Sequence, residues 1–183
     1  MRRFAVPMVL GTLAMTAISS RAEAQAYVFF GGGATFPTGD YGTYAKTGWM
    51  AQAGLGVDIG SKGLFLEGEG FFGSNKHEAT TTNDKTNIIA FLGALGYSFG
   101  ADDAKMSPYV LAGAGVLAHQ FRTEGPGLED TETKFGYTGA AGLSFRLSST
   151  GRFWIEGRYI GSDGTAVIPL MVGVTINFGG GGN

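Results

Sequence analysis

Between its turns this chain changes side-chain character at every second residue, and it does so in eight successive segments. That period belongs to an extended strand whose neighbours point to opposite faces; a helix would repeat every ~3.6 residues. In Lys134 to Leu147, Phe135, Tyr137, Gly139, Ala141, Leu143, Phe145 and Leu147 share one face, against Gly136, Thr138, Ala140, Gly142, Ser144 and Arg146. Thr47 to Ile59 divides alike, with Trp49, Leu55 and Val57 opposed to Gln52, Gly54 and Asp58. So does Ala166 to Phe178, with Ile168, Leu170, Val172, Val174 and Ile176 on one side. The other segments are Ala26 to Phe36, Gly63 to Gly73, Thr86 to Phe99, Pro108 to Phe121 and Arg152 to Gly161. Small residues blur the phase of two of them, at Gly31-Gly32-Gly33 and at Ala112-Gly113-Ala114-Gly115; in the second, Val110, Ala112, Ala114, Val116 and Ala118 are read as outward.

The 33 glycines argue against helices, because each interior glycine costs a helix about 1 kcal/mol. Beyond residue 24 no run of ~18 apolar residues occurs, so no helix spans a bilayer. A tilted strand crosses with only about 9–11 residues. In hydrocarbon every backbone N–H and C=O must be paired, and strands manage this only as a closed barrel. The expected fold is all-β: an eight-stranded antiparallel up-and-down transmembrane β-barrel over residues 25–178.

Residues 1–24 read as a signal peptide, with Arg2-Arg3, an apolar stretch from Phe4 to Ile18, and the small-residue site Ala22-Glu23-Ala24. Cleavage after Ala24 places the mature start at Gln25 and leaves ten basic against fourteen acidic residues, a net charge of −4. A nucleic-acid partner would need a basic stripe, so none is expected. Without cysteine the chain has neither disulfides nor thiol chemistry.

Connections alternate in length, as they do when short turns face the periplasm and longer loops face outward. Gly60 to Gly63 and Ser148 to Gly151 are tight, whereas Pro37 to Lys46, Ser74 to Lys85 and Arg122 to Thr133 are long. Gly100 to Ser107 is long for an inner turn, and Ser162 to Thr165 short for an outer loop. Aromatics fall near strand ends: Trp49, Phe72, Phe135, Tyr137 and Tyr159 outward, Tyr97, Phe99, Phe145, Phe153 and Phe178 inward. Two such girdles suit amphipathic rings at headgroup level.

Beside this pattern stand Phe36-Pro37-Thr38-Gly39-Asp40 after the first strand, Pro108-Tyr109-Val110 opening the fifth, and the ending Gly173-Val174-Thr175-Ile176-Asn177-Phe178. With them the chain resembles the small eight-stranded outer-membrane β-barrel proteins, the class that includes the outer-membrane protein A and protein X type barrels. Gly173, Ile176 and Phe178 look like that family's assembly signal. The resemblance implies insertion by the barrel assembly machinery, and with it go a monomeric state, contact with outer-membrane lipid and lipopolysaccharide, and no cofactor. Two departures are Met171, where the signal usually has a polar residue, and the Gly-rich tail over residues 179–183.

The candidate functional residues are the charges assigned to the inner face. Glu67 and Glu69 lie on the third strand, and Arg152, Glu156 and Arg158 on the seventh; Asp58 and Arg146 add one charge of each sign nearer the periplasmic end. Strands three and seven oppose each other in a ring of eight, whose lumen is narrow enough for side chains to fill. An unpaired buried charge costs several kcal/mol, so Arg158 is expected to meet Glu67 or Glu69, with barrel shear able to redirect it towards Glu156. Such a cluster either plugs the lumen or lines a narrow polar path.

The expected role is therefore structural or interactive at the cell surface, with a side-chain plug. The alternative is a passive channel for small or apolar solutes. A lipid-modifying enzyme would need a base, for which only His77, expected in an outer loop near Ser74, and His119 at a strand end are available; a solvated histidine is the simpler reading, and no catalytic residue is assigned. A soluble lipocalin-like binder would put apolar residues inside, against the charged inner face. The acidic stretch from Thr123 to Glu132 lacks the spacing of a calcium loop, so no metal site is assigned.

Overall fold

The computed structural model describes residues 25–59, 63–77, 84–100, 104–122 and 129–178. The expected signal peptide, the Gly-rich tail and the centres of four connections lie outside these residues. Eight strands follow in order: β1 (Ala26–Thr38), β2 (Gly48–Ile59), β3 (Leu64–Lys76), β4 (Lys85–Ser98), β5 (Met106–Arg122), β6 (Glu129–Arg146), β7 (Gly151–Ser162) and β8 (Thr165–Phe178). Each pairs antiparallel with the next, and β1 pairs with β8 from Ala26↔Phe178 to Thr38↔Ala166, closing the barrel.

The alternation in the sequence becomes an outside and an inside. Leu55, Phe91, Val110, Val116, Leu143, Leu170 and Val172 form an exposed apolar belt, while Met50, Leu92, Leu111, Leu117 and Met171 are buried. The fifth strand takes the assigned phase. In β1 the undeclared phase is settled by Tyr27, Phe29 and Thr35, which turn inward, and by Phe30 and Phe36, which turn outward. Girdle residues meet in pairs: Trp49 with Phe72 (5.5 Å) and Tyr137 with Tyr159 (5.9 Å) at the outer end, Tyr97 with Phe99 (5.0 Å) and Phe145 with Phe153 (6.3 Å) at the inner.

Three connections differ from the sequence reading, the first because β3 and β4 stay paired out to Lys76↔Lys85, so that Ser74 to Lys76 is strand where loop was expected. β6 begins at Glu129, because β5 and β6 stay paired out to Arg122↔Glu129; Glu129 to Thr133 is therefore strand, where loop was expected. The alternating β-branched Thr131 and Thr133 suit a ladder that continues into water. Between β1 and β2 a short 3-10 helix, η1 (Gly39–Thr43), replaces an open loop. Gly39, at φ 61°, takes the left-handed backbone that begins it, and Gly164, at φ 77°, does the same for the tight β7–β8 turn.

Many glycines act through volume. Tyr27, Gly56 and Glu67 are register neighbours on β1, β2 and β3, and a Cβ on Gly56 would strike the Tyr27 ring. Tyr109, Gly142 and Glu156 repeat the device on β5, β6 and β7. In both rows the ring lies flat over the missing side chain and so reaches a carboxylate two strands away. The Trp154 indole lies likewise over Gly173 and Gly31. A lumen eight strands wide has room for large rings only where neighbouring wall positions are empty.

Candidate functional site

The lumen is built in three layers. At mid-height the Arg158 side chain is fully buried, as is that of Glu69, and Glu156 is almost so. The Arg158 Nη1 donates to Glu69 Oε2, a short contact across the barrel, while Nη2 lies 3.4 Å from Glu69 Oε1. On its own strand Arg158 donates from Nε to Glu156 Oε1 (2.7 Å) and from Nη2 to Glu156 Oε2 (3.2 Å). The guanidinium carbon sits 5.0 Å from the centre of the Phe71 ring. One guanidinium thus holds two carboxylates and an aromatic face, a use that needs its planar fork and that an ammonium would not match.

Both alternatives raised for Arg158 are partly met: its partners are Glu69 and Glu156, not Glu67. Glu67 accepts instead from Tyr27 Oη at 2.9 Å, and Tyr109 Oη donates to Glu156 Oε2 at 2.9 Å. The remaining expected residues do not join this cluster. Arg152 donates to Ser144 Oγ (2.7 Å) and Ser107 Oγ (3.1 Å), Arg146 is exposed at the inner rim, and Asp58 is half-buried near the inner end of β2. Gly173 lies under Trp154, and Ile176 and Phe178 are exposed on the outer face of β8.

On the outer side of Arg158 the lumen becomes apolar, walled by Met50, Phe71, Ile88, Leu92, Leu117, Ile160, Val167 and Met171. Interiors of small outer-membrane barrels are ordinarily polar, so this layer is a departure that alternation alone does not reveal. Tyr41 from η1 joins the cluster and is 1% exposed, with Tyr44 packed edge-on against it at 5.5 Å. Burial pushes the Tyr41 hydroxyl up to about 12; it lies near Thr86 but makes no well-formed hydrogen bond. Below Arg158, Phe65, Ala94 and Leu111 form a second apolar layer.

The histidines depart from the solvated reading: His119 stands near a strand end as expected but is buried, and His77, expected in a loop, is held by the sheet. His119 is buried, and its Nε2 lies 3.0 Å from Ser162 Oγ on β7, two strands away. His77 extends the β3 ladder through a bridge to Ala45, and its Nε2 lies 2.8 Å from Thr86 Oγ1; Ser74 is not its partner. Tyr27 and Tyr41 escaped the sequence analysis, and Tyr109 entered it only in the motif that opens the fifth strand. The signal for Tyr27 and Tyr109 is the carboxylate two strands away in register, which requires the strand pairing.

A closed antiparallel barrel with a lipid-compatible belt, two aromatic girdles and a buried ionic core defines an integral membrane barrel of the bacterial outer-membrane type. The match to the family model for the outer membrane protein beta-barrel domain spans residues 8–180, and the chain belongs to that family. No curated protein matches the sequence. Among solved structures it is similar to Neisserial surface protein A, with a TM-score of 0.64 and 17% identity over 85% of this chain and 99% of that one. The N-terminal β-barrel domain of Pseudomonas aeruginosa OprF gives 0.55 and 14%, over 86% and 98%. Ail, the attachment invasion locus protein of Yersinia pestis, gives 0.53 and 15%, over 87% and 100%.

Proposed function

We propose that this chain is a plugged, non-conducting barrel of the outer membrane whose role is structural or interactive at the cell surface, without a catalytic step. The observation that carries the reading is the Arg158 clamp, a fully buried guanidinium tied to β3 and β7 at once and layered between two apolar clusters. Water or a solute passing the barrel would have to separate Arg158 from Glu69 and leave charges in a low-dielectric interior, at a cost of several kcal/mol per ion. Cleavage after Ala24, insertion through Gly173, Ile176 and Phe178, a monomeric state and contact with lipid and lipopolysaccharide belong to the same reading. The outward exposure of Ile176 and Phe178 supports their availability during insertion. Resemblance in fold to proteins named for surface and attachment roles supports the surface function.

Single-channel recording in planar bilayers tests the plug. Wild-type protein should insert without conductance steps, and Arg158→Ala should bring intermittent openings. Steady conductance in the wild type would establish the passive channel instead.

A further inference from the structure

We propose that Lys76 and Lys85, on the outer wall just above the aromatic girdle, form a binding site for the phosphate group of an outer-leaflet lipid. The inference rests on the membrane placement argued above. Its starting point is register: Lys76 pairs with Lys85, Lys85 with Arg122, and Arg122 with Glu129, so three cations occupy adjacent positions of one row. Glu129 closes the row beside Arg122, and Asp84 precedes Lys85 in the chain; the Lys76–Lys85 end is the more strongly cationic. Lys46 adjoins that end, its backbone N–H bonded to the Lys76 carbonyl at 2.7 Å.

Opposed residues of a sheet share a face. Lys76 is in phase with Leu64, Leu66 and Phe72, and Lys85 with Ile89, Phe91 and Leu95, which places both on the lipid side. Neither makes an ion pair with any described residue. Like charges placed directly opposite destabilise a sheet, so the pair works against the fold unless an anion joins it.

Height supplies the second argument. The Phe72–Ile89–Ala118 row is followed outward by the polar Ser74–Asn87–Gln120 row and then by the lysines. Four residues at ~3.4 Å each, tilted by ~35–45°, raise the lysines about 10 Å above the girdle. The headgroup zone of one leaflet is roughly 5–7 Å deep. Lysine stems that snorkel back towards the membrane bring their ammonium groups to phosphate level, while Trp49 and Phe72 lie against the acyl chains beneath. Charge and position together select a membrane lipid over a free anion.

Trp49 supplies a reporter, since it is 51% exposed and pairs with Ser74, one row below Lys76, whereas Trp154 is shut inside the lumen. The full chain is refolded into phosphatidylcholine vesicles in which about one lipid in ten is phosphatidic acid, with bromine on the acyl chains of one lipid or the other; enrichment of the acid at Trp49 should be about fivefold, the order set by one lysine at a charged lipid surface. Lys76→Ser with Lys85→Ser should bring quenching to the random level, and Lys76→Arg with Lys85→Arg should retain the preference. Inorganic phosphate at constant ionic strength should leave it unchanged. Quenching by the two lipids in simple proportion to their abundance, in an inserted, heat-modifiable barrel, would overturn the site, as would a preference that survives the double serine variant. Abolition by inorganic phosphate would overturn the assignment to lipid. A chain quenched by neither lipid has not inserted, and that result counts against the membrane reading itself.

Discussion

Replacing Arg158 with Ala removes the cation that, among the described residues, pairs with Glu69 and Glu156 together. At an effective dielectric of ~20, a unit charge pair at the 2.7 Å of the Nε to Oε1 contact attracts with about 6 kcal/mol, before any allowance for desolvation. Burying the three ions offsets much of that gain, so the intact clamp adds little net stability. Loss of the guanidinium is a different matter, because both carboxylates remain buried without their partner. The expected destabilisation is ~3–5 kcal/mol, less if lumen water reaches the site, against a total of roughly 5–15 kcal/mol for an ordinary domain. Reversible urea titration of the folded barrel in lipid vesicles, followed by tryptophan fluorescence, reads this quantity. Glu69→Gln in the Arg158→Ala background should recover part of the loss, giving a coupling energy of at least ~1 kcal/mol. Additive single losses would refute the clamp, and a loss below ~1 kcal/mol for Arg158→Ala would show that the site is wet.

Gly142→Val should displace the Tyr109 ring and leave Glu156 without that donor, lowering stability by ~1–3 kcal/mol; Gly68→Val, where an added Cβ meets nothing within 4 Å, should be nearly neutral in the same titration. Tyr41→Phe keeps the ring in the outer apolar layer and removes a buried hydroxyl without a hydrogen bond, so it should stabilise by up to ~1 kcal/mol at neutral pH. The Tyr41 hydroxyl is raised to about 12 when folded and ionises near 10 when unfolded, so its contribution is complete below pH ~10 and is lost as pH climbs to about 12. Subtracting the Tyr41→Phe stability profile from that of the wild type isolates this fall; a flat difference would show that the loop stands open.

The architecture was legible because a period of two and the lack of any apolar helix leave a membrane chain a single solution. Inner and outer faces of β2, β6 and β8 followed at once, since Leu55, Ala141 and Val172 alternate with polar or small residues. In β1 the triplet Gly31-Gly32-Gly33 removes the size contrast on which such a reading depends, and with the phase went Tyr27. The charge cluster was legible as composition but not as pairing. Which carboxylate Arg158 takes depends on barrel shear, a property of all eight registers together. The apolar outer layer was hidden for another reason: alternation puts Met50, Leu117 and Met171 on inner faces strand by strand, but only the eight registers together bring them into one layer with Ile88. His119 lies near the end of β5 as expected, but its burial against Ser162 of β7 depends on barrel shear and was not legible.

The phase of β6 tests this assignment directly, because neighbouring alanines there face opposite environments. Ala141, paired with Val110 and Gly157, is exposed on the lipid side near mid-strand. Ala140, paired with Leu111 and Arg158, packs against the inner apolar layer. Arginine at 141 should cost ~2–4 kcal/mol at the bilayer midplane, where the guanidinium finds neither water nor a partner. Arginine at 140 crowds Arg158 but stands beside a lumen that also holds Glu67, Glu69 and Glu156, so its penalty arises from packing and should not vary with bilayer thickness. Folding titrations in vesicles of graded acyl length separate the two, with only Ala141→Arg becoming easier as the bilayer thins. Ala141→Leu should be nearly neutral, whereas Ala140→Leu overpacks the layer formed by Phe65, Ala94 and Leu111. If thickness governs the 140 variant and not the 141 variant, β6 is one residue out of register, and every inside and outside assigned along it must be exchanged.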